Sequence, residues 1–226
     1  SAPSSMPAAR SCDAYGALPG HTTETSDADM AYCQTKLKSE VEHWVRLEPD
    51  YWPESWRKRG FVDPVCPLEM ALYGHPDSGG YWEQHCDDVL IKGCGFERIK
   101  GYWPSCYYHR KLKLFLTVYV DDFKMSGPKH NMRKGWELIR KSASNPKGIE
   151  MQDPLPAHNQ RYLGCDHKYY QCKIPENYDP VDYSKTKVAK EAGAGSPAPA
   201  SRSSQSWKNK KMVNCTVVEY DISDLL

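Results

Sequence analysis

Hydrophobic and polar residues alternate most regularly between residues 111 and 122, where Leu112, Leu114, Leu116, Val118 and Val120 interleave with Lys111, Lys113, Phe115, Thr117 and Tyr119. A period of two is the pattern of a strand that buries one face, because successive side chains point to opposite sides. Cys106, Tyr107 and Tyr108 supply a hairpin partner through a turn at His109 and Arg110. Elsewhere the spacing lengthens to three and four. Residues 80–92 repeat Trp82, Cys86, Val89 and Leu90 at helical intervals before Gly93 and Gly95, and residues 131–141 form a basic helix with Met132, Trp136 and Ile139 inward. Residues 6–18 have helical spacing and a stop at Gly16, Pro19 and Gly20. A strand-like stretch runs from Thr22 to about Tyr32, with shorter strand candidates at 149–151 and 161–163. Residues 44–61 mix Trp, Pro and charge, as an irregular excursion over a surface does. This order predicts an α+β fold, a small antiparallel sheet backed by helices.

Length bounds the picture to about one domain and a tail, since the chain has 226 residues. Residues 185–211 are Ala, Gly, Ser, Pro and Lys and cannot bury enough apolar surface to offset ordering entropy, so they read as a linker. No run approaches the roughly 18 apolar residues of a membrane span, and residues 1–11 lack a signal-peptide pattern. An intracellular chain, cytoplasmic or nuclear and without a membrane partner, is expected. The nine cysteines include no C-x-x-C pair, which removes zinc-finger spacing and leaves His85-Cys86 and Cys165-x-His167 as loose metal candidates. Buried free thiols are the ordinary alternative.

Charge looks balanced, 30 Lys and Arg against 29 Asp and Glu, and at first argues against a nucleic-acid coat protein. The total conceals a division. Residues 1–97 hold 8 basic and 16 acidic side chains, a net of −8, whereas residues 98–148 hold 12 basic and 3 acidic ones, a net of +9. A basic block is either a solvated face or a polyanion track, and charge alone does not choose.

Two carboxylates end the clearest strand, in Tyr119-Val120-Asp121-Asp122. Adjacent like charges repel unless a cation lies between them and a third group, although Asp also serves in ordinary polar turns. Asp27 is the third group if the two strands are neighbours. Hard carboxylate oxygens suit Mg²⁺, which takes its other ligands from water and substrate phosphates. A pair of such ions stabilises the attacking and leaving oxygens of an in-line phosphoryl displacement.

Five short segments in order then resemble the reverse transcriptase domain of copia-type retrotransposon polyproteins. Asp27-Ala28-Asp29-Met30-Ala31-Tyr32 is similar to the family's first catalytic motif, Asp-Val-x-x-Ala-Phe, and Leu37-Lys38 with Glu40 extends the likeness. Ala71-Leu72-Tyr73-Gly74 followed by Trp82 resembles the family's Ala-Leu-Tyr-Gly helix entry, and Gly95-Phe96 with residues 104–107 resembles the segment after it. Val118-Tyr119-Val120-Asp121-Asp122 matches the polymerase hallmark, and Tyr162-Leu163-Gly164 resembles the Phe-Leu-Gly of a later hairpin. The likeness covers roughly residues 7–167.

That resemblance implies a palm-like sheet with incomplete fingers and no evident thumb: residues 1–180 as a partial reverse transcriptase domain, residues 181–226 as linker and short C-terminal segment. It implies RNA-directed DNA polymerisation, with Asp27 and Asp121 binding metal and Asp122 as their acidic neighbour. Mg²⁺, or Mn²⁺ in its place, would be the cofactor, and the partners would be an RNA or DNA template-primer, deoxynucleoside triphosphates and the rest of a Pol polyprotein. Tyr32 would lie under the nucleotide sugar, with Tyr73, Gly74 and Tyr119 bordering its pocket. Lys111, Lys113, Lys124, Arg133 and Lys134 are candidate phosphate contacts. The pattern departs at Gly74-His75-Pro76-Asp77-Ser78-Gly79-Gly80, where the family carries Gly-Leu-Lys-Gln-Ala-Pro-Arg. A non-catalytic nucleic-acid-binding remnant is the competing reading, and a cysteine/histidine metal module a third.

Overall fold

The computed structural model describes residues 3–101, 103–158, 160–176 and 211–221, and the low-complexity stretch from 185 to 210 lies outside them. Two units are distinguished: residues 1–167 with 220–226, and residues 168–219.

In the first unit, helix α1 (Met6–Gly16) leads through a turn into strand β1 (His21–Asp27). Strands β2 (Trp44–Arg46) and β3 (Val65–Pro67) pair with each other on either side of the short helix α2 (Glu54–Lys58). No residue from 44 to 62 is buried, in keeping with a surface excursion. Helix α3 (Ser78–Asp87) runs on into a π-helical turn (Asp88–Gly93) and brings Trp82, Cys86 and Leu90 inward. Strands β4 (Glu97–Arg98), β5 (Cys106–His109), β6 (Leu114–Tyr119) and β7 (Asp122–Pro128) follow, then helix α4 (Lys129–Ile139) and strand β8 (Leu155–Pro156). The sheet has the order β4-β5-β6-β7-β1-β8 with every pairing antiparallel. The fold is α+β, as the alternating periods require. Among the described residues no helix is long and apolar enough to cross a membrane.

Strand β6 differs from its sequence pattern in an instructive way. One buried face was expected, yet all five residues from Leu114 to Val118 are buried. Leu114, Leu116 and Val118 meet the core under α3 and α4, while Phe115 meets Ala8 and Cys12 of α1. A central strand covered on both sides has no solvent face to keep polar. Close packing needs small residues where helices touch the sheet: a Cβ on Gly135 would lie 2.3 Å from Leu114 Cδ1, and one on Gly16 1.8 Å from Thr23 Oγ1. Strand β1 also stops earlier than expected, at Asp27 instead of near Tyr32. The chain reverses at Met30, whose φ is 44°, into a 3₁₀ turn (Ala31–Gln34). The Gln34 amide secures that reversal, donating to the Asp29 and Glu150 carbonyls (2.6 and 2.8 Å) and accepting from the Glu150 N–H (2.9 Å).

Later in the first unit, strand β9 (Arg161–Tyr162) pairs with the start of strand β10 (Cys165–Pro175). In the second unit the remainder of β10 lies beside strand β11 (Met212–Asp221), which occupies part of the expected C-terminal segment.

Candidate active site

Topology places β1 beside β7 and β7 beside β6, so the Asp27 end of one strand meets the hairpin that joins the other two. In the register Asp27 is opposite Asp122, and Asp122 is opposite Tyr119. Directly opposed residues project on one side of a sheet, so Asp27, Asp122 and Tyr119 share a face. Val120 and Asp121 form the connecting turn. Only Val120 of the two has a positive φ, 57°, the arrangement of a II′ turn in which glycine is usual. A β-branched residue there is strained and persists only because its surroundings hold it. Both turn carbonyls are held: the Trp82 indole N–H donates to the Val120 oxygen at 2.7 Å, and the Ala28 N–H to the Asp121 oxygen at 2.8 Å.

Like charge dominates the electrostatics. The Asp122 carboxyl is pushed up to about 7, first by burial, then by the negative charges of Asp121 and Asp27 and its hydrogen bond to Asp27. Asp27 is also raised, by burial and by Asp121 and Asp29, while its hydrogen bond with Asp122 works the other way. One proton bridging two carboxylates substitutes for a cation near neutral pH. Among the described residues no group of three or more His, Cys, Asp or Glu stands in a metal-holding arrangement. The donors here are carboxylate oxygens alone, which fits a hard ion that keeps several waters.

The other sequence-derived residues divide by location. Tyr32 and Tyr73 pack with their rings tilted by 41° at 4.6 Å between centroids, and Tyr73 is raised by burial and by the charge of Asp121, which sets this pair beside the cluster. Tyr32 also borders an apolar cavity with Trp82, Val118 and Val120, whose volume of about 30 Å³ holds a water and not a nucleotide. Gly74 is exposed with φ 91° and open space around it, and Tyr119 is exposed. Lys111 and Lys113 are exposed but precede β6, whose far end carries Tyr119, roughly 15 Å or more along the strand. Arg133 and Lys134 are exposed on α4, with Arg133 paired to Glu137 at 2.8 Å. Lys124 is a correction. Its side chain is 0% exposed and its Nζ is 2.6 Å from Asp13 Oδ2, so it cannot reach a phosphate from this position.

Sequence reasoning stressed Asp121 as the partner of Asp27, whereas the register sets Asp122 directly opposite and leaves Asp121 in the turn. It did not single out Trp82 as the brace of that turn or Gln34 as the clamp of the β1 exit. The Trp82 spacing was visible; its hydrogen bond depends on where α3 docks. A second cavity, of about 270 Å³, opens beside the β1 exit between Asp29, Met30, His85, Lys141, Lys147 and Glu150.

An antiparallel sheet presenting a braced carboxylate cluster defines an α+β chain with a candidate cation site. No protein-family model matches the chain. It is homologous to retrotransposon Gag-Pol polyproteins: 26% identical over 147 residues to the Transposon Ty1-DR1 Gag-Pol polyprotein of Saccharomyces cerevisiae, covering 65% of this chain and 8% of the relative. The Truncated transposon Ty1-A Gag-Pol polyprotein of the same organism matches at 26% over 147 residues, 11% of its length. The chain thus spans about a tenth of these relatives.

Proposed function

We propose that this chain is the reverse transcriptase portion of a copia-type retrotransposon polyprotein, an RNA-directed DNA polymerase that extends a primer on a nucleic-acid template. The carrying observation is the convergence of Asp27 with Asp121 and Asp122 at a braced hairpin turn. Asp27 and Asp122, with Asp121 alongside, would hold divalent cations, Mg²⁺ or Mn²⁺. When bound, such ions activate the primer 3′-hydroxyl and stabilise the charge that develops as the nucleotide's pyrophosphate leaves. The protein's own part is positional: Trp82 and Ala28 hold the turn, and the Asp122 proton must leave for a cation to enter. The tilted pair of Tyr32 and Tyr73 offers a wall for the incoming sugar and base. The cavity beside Asp29 and Met30 carries Asp29 and Glu150 as well as Lys141 and Lys147, with Lys141 paired to Glu150, and is not assigned a ligand.

Primer extension on an RNA template with Mg²⁺ tests the reading. Asp27→Asn and Asp122→Asn should each lower extension by about 10² or more. Extension undiminished in both variants would overturn the assignment. Salt-sensitive RNA binding without any extension would favour a non-catalytic binding remnant.

A further inference from the structure

Within the second unit, two hydrogen bonds set the register of β10 and β11. Gln171 Nε2 donates to Thr216 Oγ1 at 2.9 Å, and the Glu176 N–H donates to the Lys211 carbonyl at 2.9 Å. Both pairs obey one antiparallel register, and the same register sets Cys172 directly against Cys215. Opposed residues in such a ladder have Cα atoms about 4.5–5.5 Å apart. Disulfides span about 4.4–6.8 Å, so the backbone is already placed for a bond. The Cys215 thiol lies near enough to Cys172 to help, after burial, to hold the Cys172 thiol above its ordinary value. Both residues are half-buried, whereas Cys12, Cys86, Cys94, Cys106 and Cys165 are buried.

We propose that Cys172 and Cys215 are a covalent modification site, closed to a cross-strand disulfide by exchange with a low-molecular-weight disulfide. The Cys172 thiolate attacks one sulfur of that disulfide, its S–S bond breaks, and one small thiolate leaves. The Cys215 thiolate then attacks Cys172 sulfur in the mixed disulfide and expels the second small thiolate. Two protein thiols are oxidised by two electrons, one small disulfide is reduced to two thiols, and the two protons pass to the departing thiolates. The bond ties residues 173–214 into a covalent loop and restricts the unfolded ensemble of this ladder. Because burial and the neighbouring Cys215 hold the Cys172 thiol above its ordinary value, exchange accelerates as pH rises above neutral.

The test is incubation of the dilute, unmutated chain with glutathione disulfide at pH 8.5, followed by intact mass and non-reducing peptide mapping. A loss of about 2 Da is expected, with one intramolecular link joining the Cys172 and Cys215 peptides. Hydrogen exchange should then slow across β10 and β11, and dithiothreitol should restore the original mass. Two stable glutathione adducts without a link, a link to another cysteine, or a link found only between two chains would overturn the proposal. Since the mapping uses the unmutated chain, folding of a variant does not enter. Cys215→Ser adds a control: it should stop at the Cys172–glutathione mixed disulfide.

Discussion

Asp122 and Lys124 stand two residues apart on β7 and point to the same face of the sheet, yet their electrostatic surroundings are opposite. Lys124 is enclosed and answered: Asp13 Oδ2 lies 2.6 Å from its Nζ, His167 Nε2 lies 3.2 Å away, and the Tyr162 ring lies under the ammonium at 4.8 Å. Asp13 also accepts from the Tyr220 hydroxyl at 2.5 Å. Asp122 is half-buried and faces two further carboxylates, one of which, Asp27, is its hydrogen-bond partner. A buried charge with a full set of partners holds structure together; a partly buried charge among like charges is held in place by structure.

Removing the enclosed cation should have the largest effect. Lys124→Ala strands the Asp13 carboxylate away from water and should cost about 3 to 5 kcal/mol in urea unfolding. Adding Asp13→Leu to that variant should recover much of the loss, and no recovery would mean that the network acts through shape instead of charge. Next comes Trp82→Phe, which removes the donor to Val120 and part of a packed ring. It should cost about 2 kcal/mol and lower primer extension further than the stability loss explains.

Asp122→Asn should move stability the other way, by about 1 kcal/mol in favour of the fold at pH 8 once solvent screening is allowed for. The sign follows from a folded-state carboxyl raised to about 7. Its favourable contribution is present below pH 4 and lost as pH rises through 7, so the unmutated chain should lose stability across that window while Asp122→Asn stays flatter. Millimolar Mg²⁺ should raise the melting temperature more at pH 8 than at pH 6, because at pH 6 the ion competes with the shared proton. An equal rise at both values would remove Asp122 from the cation site. The smallest stability change belongs to Arg133→Ala, whose exposed pair with Glu137 should cost under about 0.5 kcal/mol. Its informative readout is the salt slope of RNA binding, which should fall if α4 meets the phosphate backbone.

Much of the molecule was legible as pattern. The hairpin of β5 and β6, the inward row of α4 and the residues of α3 follow from spacing, because period alone decides which side chains can share a face. Asp121 and Asp122 were legible as chemistry because adjacent carboxylates closing a strand are electrostatically awkward, whereas Asp27, expected inside a longer strand, stood out through its resemblance to a family motif. Lys124 was misread for a physical reason: a lysine in a basic segment looks solvated until the helix carrying Asp13 is laid over it. The early end of β1 was equally hidden, since it depends on Gln34 reaching the distant Glu150 backbone.

Sequence by itself determined the local periods, the division into acidic and basic segments, and the chemical types present at the strand ends. Those properties depend on residues within a few positions of one another. Tertiary structure alone decided that Asp27 faces Asp122, that an indole from α3 braces the strained Val120 turn, and that one lysine of β7 is an anchor instead of a ligand. Each of these joins residues some 40 to 110 positions apart, where register and helix docking, set by whole-core packing, determine who meets whom.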